Sequence, residues 1–335
     1  MRAKLGRRAL LGAALALIAV ALAIVPLPLY VISPGPALAV AERVELARPA
    51  DEVSGRLLLT TVRIARPSAL GALGAWLDDD RAVTTRESIA PAGVDEEEYL
   101  RTQRRLFDES ARVAAAAGLR AAGYDAAVTG RGAQVAAVLP GSPADGRLRE
   151  GDVIVSVDGQ AIGVAAELIA ALSGRSGGRE VTLGVQRGDE PLTVRTELER
   201  LDQLGRPGLG VAVRTVGFAV ELPFEVDVDA GNVGGPSGGL MIALAVYELA
   251  DPGDLTAGRV IAGTGTIDAD GAVGPVGGVA QKVTAADRAG AELFLAPAAE
   301  AAEARVAADG GLEVVAVRSL TEAIGALAAA PGPPG

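Results

Sequence analysis

The chain has 335 residues, a net charge of −11, 50% apolar residues and only 3% aromatic ones. It is long enough for two or three domains, and its acidic balance argues against nucleic acid as a partner. It contains neither cysteine nor histidine, which excludes disulfides, thiolate metal sites, histidine-based triads and nearly every zinc enzyme.

In chain order, Arg2, Lys4, Arg7 and Arg8 precede an uncharged run from Ala9 to Val25, and apolar character continues past Pro26 and Pro28 to Ile32. The stretch before the first proline would give roughly 25 Å of helix, near the lower limit for a bilayer. Positive charge before it and none just after it places the N-terminus in the cytoplasm and the bulk of the chain outside. The expectation is a single-pass signal anchor over residues 1–32. A cleaved signal peptide is the rival, because Ala37-Leu38-Ala39 has a small-x-small pattern. Ser33-Pro34-Gly35-Pro36 reads as a stiff exit.

Residues 37–66 read as strands around Ala39-Val40 and from Leu57 to Ile64. Trp76 reads as packing or interface, and Asp78-Asp79-Asp80 as a solvated loop rather than a calcium site. Residues 94–121 read as an amphipathic helix, with Tyr99, Gln103, Leu106, Ser110, Val113 and Ala117 on one stripe. Asp95 to Glu98 sit where the helix dipole favours acid, and Gly118 and Gly123 loosen the far end. The helix is read as structural.

From Val128 the pattern changes to short strands. Val135–Leu139 is followed by Pro140-Gly141-Ser142-Pro143-Ala144, then by Val153–Val157 and the turn signal Asp158-Gly159. A short helix, Ala165–Leu172, precedes strands at 180–187 and 190–199. The run "VLPGSPADGRLREGDVIVSVDGQAI" resembles a PDZ domain of the bacterial protease-associated type. That resemblance covers 123–200 and implies capture of an extended peptide or a C-terminus by strand addition beside Ala165–Leu172. The Gly123-Tyr124 region is the candidate for its carboxylate-binding loop.

Phe218–Val228 alternates like a strand and leads into Gly231-Asn232-Val233-Gly234-Gly235-Pro236-Ser237-Gly238-Gly239. Leu240–Ala250 then reads as a helix apolar nearly all round, closed by Asp251-Pro252-Gly253. Ser237 therefore stands at a helix N-terminus behind a glycine loop, where free N–H groups can hold an oxyanion. Alone, such a serine is more often an N-cap in a Gly-Pro turn. The basic residues decide otherwise. Lysine occurs only at Lys4 and Lys282, and the other 29 basic residues are arginine. Arginine serves any surface charge, but a guanidinium does not deprotonate, whereas a buried amine can become a base.

"GGPSGGL" followed by "IAGTGTIDADGAVGPVGGVAQKVTAADRAGAELFLAP" resembles the proteolytic domain of Lon peptidases. The resemblance implies Ser237 as nucleophile, Lys282 as general base and Thr264 as the hydroxyl that orients the lysine. Gly235 and Gly238 belong to the oxyanion region. Gly234 stands where many relatives carry an acid, and Gly238 where many carry alanine. The ordering of anchor, PDZ and Lon-type domain resembles the bacterial membrane-anchored, PDZ-containing Lon-like proteases.

The expected fold is α+β: a transmembrane helix (1–32), a small α/β region (33–122), a sandwich-like PDZ domain with short helices (123–200), a Lon-type α+β domain (206–328) and a disordered tail (329–335). The expected activity is an ATP-independent serine endopeptidase with no cofactor and no metal, since no GxxxxGK[ST] pattern is present. Asp268 and Asp270 read as turn formers. The implied partners are polypeptides, peptide C-termini at the PDZ domain, the cytoplasmic membrane and further copies of the chain in a hexamer, but neither ATP nor nucleic acid. The implied location is the bacterial cell membrane with the catalytic domain outside. A catalytically silent PDZ adaptor and a purely self-processing site are the alternatives.

Overall fold

A computed structural model describes residues 17, 20, 22–48, 53–85, 89, 96–172, 175–201, 206–229, 231 and 233–329. The tail beyond 329 and most of the run from Ala9 to Val25 lie outside these residues. Among the described residues no helix is long and apolar enough to cross a membrane. Leu17, Val20 and Leu22–Ile24 are helical and exposed.

The centre is a six-stranded sheet in the order Glu313–Val317, Leu293–Pro297, Val260–Gly263, Arg56–Ala65, Leu29–Ala39, Ala82–Thr85. The first four strands run parallel, and Leu29–Ala39 runs antiparallel to both of its neighbours. Val260–Gly263, Leu293–Pro297 and the stretch Leu57–Leu59 are continuous apolar runs, as the part of a sheet covered on both faces requires. Their period of two splits the core. Leu57, Leu59, Ile261, Leu293 and Leu295 pack under the helices Glu96–Ala121 and Gly239–Ala250. Leu58, Ala262, Phe294 and Ala296 pack under Val279–Arg288 and Ala301–Ala308 on the other face.

Two boundaries move. Leu29–Ile32, assigned to the anchor, are strand residues paired with Thr85–Ala82 and, in part, with Ala65–Ile64. The prolines of the expected stiff exit lie inside this strand, at a bulge between Pro34 and Ala37 where the ladder tolerates a missing donor. Residues 33–122 are likewise no separate α/β region. Their strands sit in the central sheet, and their long helix packs along Gly239–Ala250.

The long helix carries a shifted stripe. Phe107 is 3% exposed, whereas Leu106 is 38% exposed. Gly118 does not loosen the helix. A Cβ there would lie 2.5 Å from the Ala243 carbonyl, so the glycine permits the close crossing of the two helices. Gly123, at φ 85°, ends the helix.

Residues from about 130 to 216 form an inserted unit with its own core around Ile154, Leu183 and Leu198. Its sheet runs Glu190–Glu197, Glu180–Arg187, Val153–Val157, Ala133–Val138, Val211–Thr215. Asp158 and Gly159 both have positive φ, as the turn signal required. The last strand, Val211–Thr215, lies beyond the expected boundary at 200 and closes the sheet against Ala133–Val138. The insertion leaves the main body through one two-stranded ladder, Ala127–Thr129 against Ala219–Glu221. Phe218–Val228 is therefore two short strands, not one. The second, Val226–Val228, pairs with Val44–Leu46, and Pro223, which lacks an N–H, falls in the break.

Candidate active site

The site forms at the carboxyl end of the strand Val260–Gly263. Ser237 comes from one face of the sheet, in a 3-10 turn (Pro236–Gly238) that feeds Gly239–Ala250. All of that helix is buried except Tyr247, which explains its lack of a polar face. Lys282 comes from the opposite face, on Val279–Arg288. Thr264, one residue past the strand, joins them. Lys282 Nζ donates to Thr264 Oγ1 at 3.0 Å, and Thr264 Oγ1 donates to the Ser237 carbonyl at 3.0 Å. Gly265 N–H donates to the same carbonyl at 2.9 Å, and Leu240 N–H to the Gly265 carbonyl at 3.0 Å. Ser237 is thus held from its backbone. No hydrogen bond runs directly from Lys282 Nζ to Ser237 Oγ.

Lys282 and Thr264 are 2% and 1% exposed. Burial pulls the Lys282 amine down to about 8, and the Glu300 carboxylate partly opposes that by favouring the charged form. Glu300 precedes Ala301–Ala308, the helix that packs beside the lysine helix.

Gly235 has φ 83°, and its N–H donates to the Gln103 carbonyl of the long helix at 2.8 Å. Ser110 Oγ donates to the Pro236 carbonyl at 3.2 Å. The helix read as structural therefore clamps the serine loop. The stripe that contains Gln103 and Ser110 was visible in the sequence, but nothing there named the loop as its partner. Gly234 abuts the same residue, since a Cβ at 234 would lie 3.0 Å from Gln103 Cβ. At Gly238 a Cβ would lie 2.4 Å from Leu59 Cδ1. We expect Gly238→Ala alone to cost roughly 1–3 kcal/mol through overpacking. Gly238→Ala with Leu59→Ala should recover part of that loss in a denaturation double-mutant cycle. Simple additivity would remove Leu59 as the cause.

Gly123 and Tyr124 are not brought to any peptide groove. The Tyr124 ring packs edge-on against Phe224 at 5.4 Å, and its hydroxyl bonds Arg48 and the Ala250 carbonyl in the main core. Of the two edges of the inserted sheet, one is Glu190–Glu197 and the other is Val211–Thr215, which among the described residues pairs only with Ala133–Val138. Thr215 Oγ1 accepts from the Ala165 N–H at 3.0 Å, tying that edge strand to the start of Ala165–Leu172. Leu209 and Gly210, at φ 77°, precede it.

Asp268 accepts from the N–H groups of Asp270 and Ala272, as a turn former should. Asp80 is not merely solvated. It takes a hydrogen bond from Arg288 at 2.6 Å and one from Thr284 at 3.3 Å, both on the lysine helix. No cluster of metal-ligating side chains occurs among the described residues.

Comparison with known proteins places two domains on this frame. A PDZ domain family matches residues 110–198, and the Lon protease (S16) C-terminal proteolytic domain matches residues 221–327. A probable periplasmic serine endoprotease, DegP-like, from Hahella chejuensis is 42% identical over 72 residues, 21% of this chain. The match spans only 15% of that relative's length. Among solved structures, the PDZ domain of an SdrC-like protein from Listeria monocytogenes is 29% identical, covering 25% of this chain and 87% of that one, with a TM-score of 0.24. A protein from Geobacillus thermodenitrificans is 30% identical over 24% of this chain and 95% of that one, with a TM-score of 0.23. A PDZ domain inserted into a body that carries a Lon-type proteolytic domain is the arrangement of a PDZ-containing Lon-like serine protease, with which the chain is consistent.

Proposed function

We propose that the chain is an ATP-independent endopeptidase in which Ser237 is the nucleophile and Lys282 the general base. The observation that carries this reading is the buried Lys282 amine, lowered to about 8 and hydrogen-bonded to the threonine that holds the Ser237 backbone. A base with a pKa near the working pH is the efficient one. In the reaction, neutral Lys282 takes the Ser237 Oγ proton as Oγ attacks the peptide carbonyl. The lysine returns that proton to the leaving amine, then activates water against the acyl-enzyme. The step requires Nζ to pass from Thr264 to Ser237 Oγ. Gly235 N–H is engaged by Gln103, which leaves the Ser237 N–H as the oxyanion donor we favour from this loop.

Substrates are unfolded or misassembled exported and membrane proteins, presented by the PDZ domain. An extended peptide adds as a strand along Val211–Thr215, beside Ala165–Leu172, rather than at Gly123 and Tyr124. The chain is anchored by its apolar N-terminal run in the bacterial cytoplasmic membrane, with both domains outside, and works as a homo-oligomer. Cleavage after Ala39 would remove a strand flanked by two neighbours, which favours the retained anchor over the cleaved signal.

Hydrolysis of a fluorogenic peptide and of an unfolded protein by the full chain in detergent tests the reading. Both should proceed without ATP. Stimulation of either by ATP would count against it.

The pH profile follows from the lysine. Activity should rise as Lys282 loses its proton, with kcat/KM climbing through an apparent pKa of about 8. Glu300→Gln removes the carboxylate that favours the charged amine, so the rise should move to lower pH. A shift to higher pH would refute that assignment. Replacing residues 130–218 by an Asn-Gly turn would join Ala127–Thr129 directly to Ala219–Glu221. Short-peptide hydrolysis should survive, while cleavage of unfolded protein should fall. Equal loss of both would place the PDZ domain in the catalytic fold rather than in capture.

A further inference from the structure

The helix Ala69–Trp76 plays no part in the machinery above. Leu70, Leu73, Trp76 and Leu77 are 54%, 54%, 76% and 72% exposed, at spacings that place them on one side of the helix. The helix carries no charge, and Ser68 caps its start by accepting from Gly71 N–H. The helix packs Ala75 against the sheet and turns this apolar face outward, and so apolar a face calls for a covering phase.

Its position says which phase. The uncharged N-terminal run ends at Val25, and the chain docks at once onto the residues that open this helix. Leu27 N–H donates to the Pro67 carbonyl at 2.8 Å, and Pro26 bridges to Ser68. Leu22, Ile24 and Val25 are also exposed there, 46%, 71% and 56%. Beside them the Arg66 guanidinium sits 5.5 Å from the Tyr30 ring centroid, and its Nε donates to the Tyr30 hydroxyl. Tyrosine, tryptophan and arginine around the exit of an apolar segment are the residues that favour a headgroup region. Two of the three acids after the helix are turned to protein partners, Asp78 to Arg81 and Asp80 to Arg288.

We propose that Ala69–Trp76 lies on the lipid surface at the exit of the N-terminal segment, with Trp76 among the headgroups and Leu70, Leu73 and Leu77 below them. This rests on the anchor reading given above. It would fix the catalytic domain against the bilayer instead of leaving it on a free tether. Asp80 links the same segment to the lysine helix.

Trp76 is the single tryptophan of the chain, so it reports on itself. The full chain is reconstituted in phosphatidylcholine–phosphatidylglycerol vesicles, with or without lipids brominated along the acyl chain. We expect it to float with the vesicles, to emit at shorter wavelength than in urea, to lose most of its emission to the bromolipid and to resist aqueous iodide. Flotation with emission quenched by iodide but not by bromolipid would overturn the proposal and leave the anchor standing. Flotation with emission quenched by neither would overturn it in favour of cover by a second copy. Failure to float would overturn both the anchor and the proposal.

Discussion

Lys282→Arg should abolish peptide hydrolysis while leaving the chain folded, and Ser237→Ala should match it. Loss of a nucleophile or base that act as a unit costs about 10⁴-fold or more in kcat, with no further loss in the double variant. Arginine is the sharper test, because it keeps the charge and removes the titratable amine. The same lysine makes an opposite prediction for stability. Its amine is near 8 in the folded chain against 10.5 when free. Between those values the unfolded chain binds the proton and the folded chain does not, so stability rises with pH through that window. Below pH 8 the buried charge costs roughly 3 kcal/mol. Lys282→Met should therefore melt higher than the parent at pH 7, with the gain vanishing above about pH 10.5. A dead variant that is also less stable at pH 7 would mean that the amine is held by a charge partner and is not a neutral base.

A chain beginning after Ala39 should fail to fold cooperatively. The lost strand lies between Arg56–Ala65 and Ala82–Thr85. Its removal unpairs one edge of the strand whose Leu57, Leu58 and Leu59 reach both cores and whose Leu59 would meet a side chain at position 238. The penalty is comparable to the whole stability of a domain, roughly 5–15 kcal/mol. The measurements are thermal unfolding by circular dichroism and the N-terminus of the membrane-extracted protein by mass spectrometry. We expect no cooperative transition in the truncated chain and a native N-terminus upstream of Leu29. A native N-terminus at residue 40, on a folded and active protein, would overturn both the strand assignment and the retained anchor.

Elements with a local cause could be read from the sequence. The serine helix has no polar face, Asp158-Gly159 makes a turn with positive φ at both residues, and the short helix Ala165–Leu172 stands where its apolar run put it. The scarcity of lysine drew attention to Lys282, and burial with a hydrogen bond to Thr264 is what the structure adds. Pairing partners could not be read. Arg56–Ala65 lies beside Val260–Gly263, about 200 residues away, and period-two alternation identifies a strand without naming its neighbour. For the same reason the helix holding Gln103 looked merely structural, and Val211–Thr215 looked like the start of the next domain. Gly123-Tyr124 misled because it follows a helix and precedes the inserted unit. There the glycine serves as a helix stop and the tyrosine packs into the main core.

The most direct test of the Ser237–Lys282 account is covalent labelling of the full chain with a peptidyl diphenyl phosphonate near pH 8.5, followed by peptide mapping. The account predicts one adduct, on the peptide containing Ser237, that is lost in Lys282→Arg and slows as the pH is lowered through 8. An adduct on a different residue, or one on Ser237 that forms equally fast in Lys282→Arg, would contradict it.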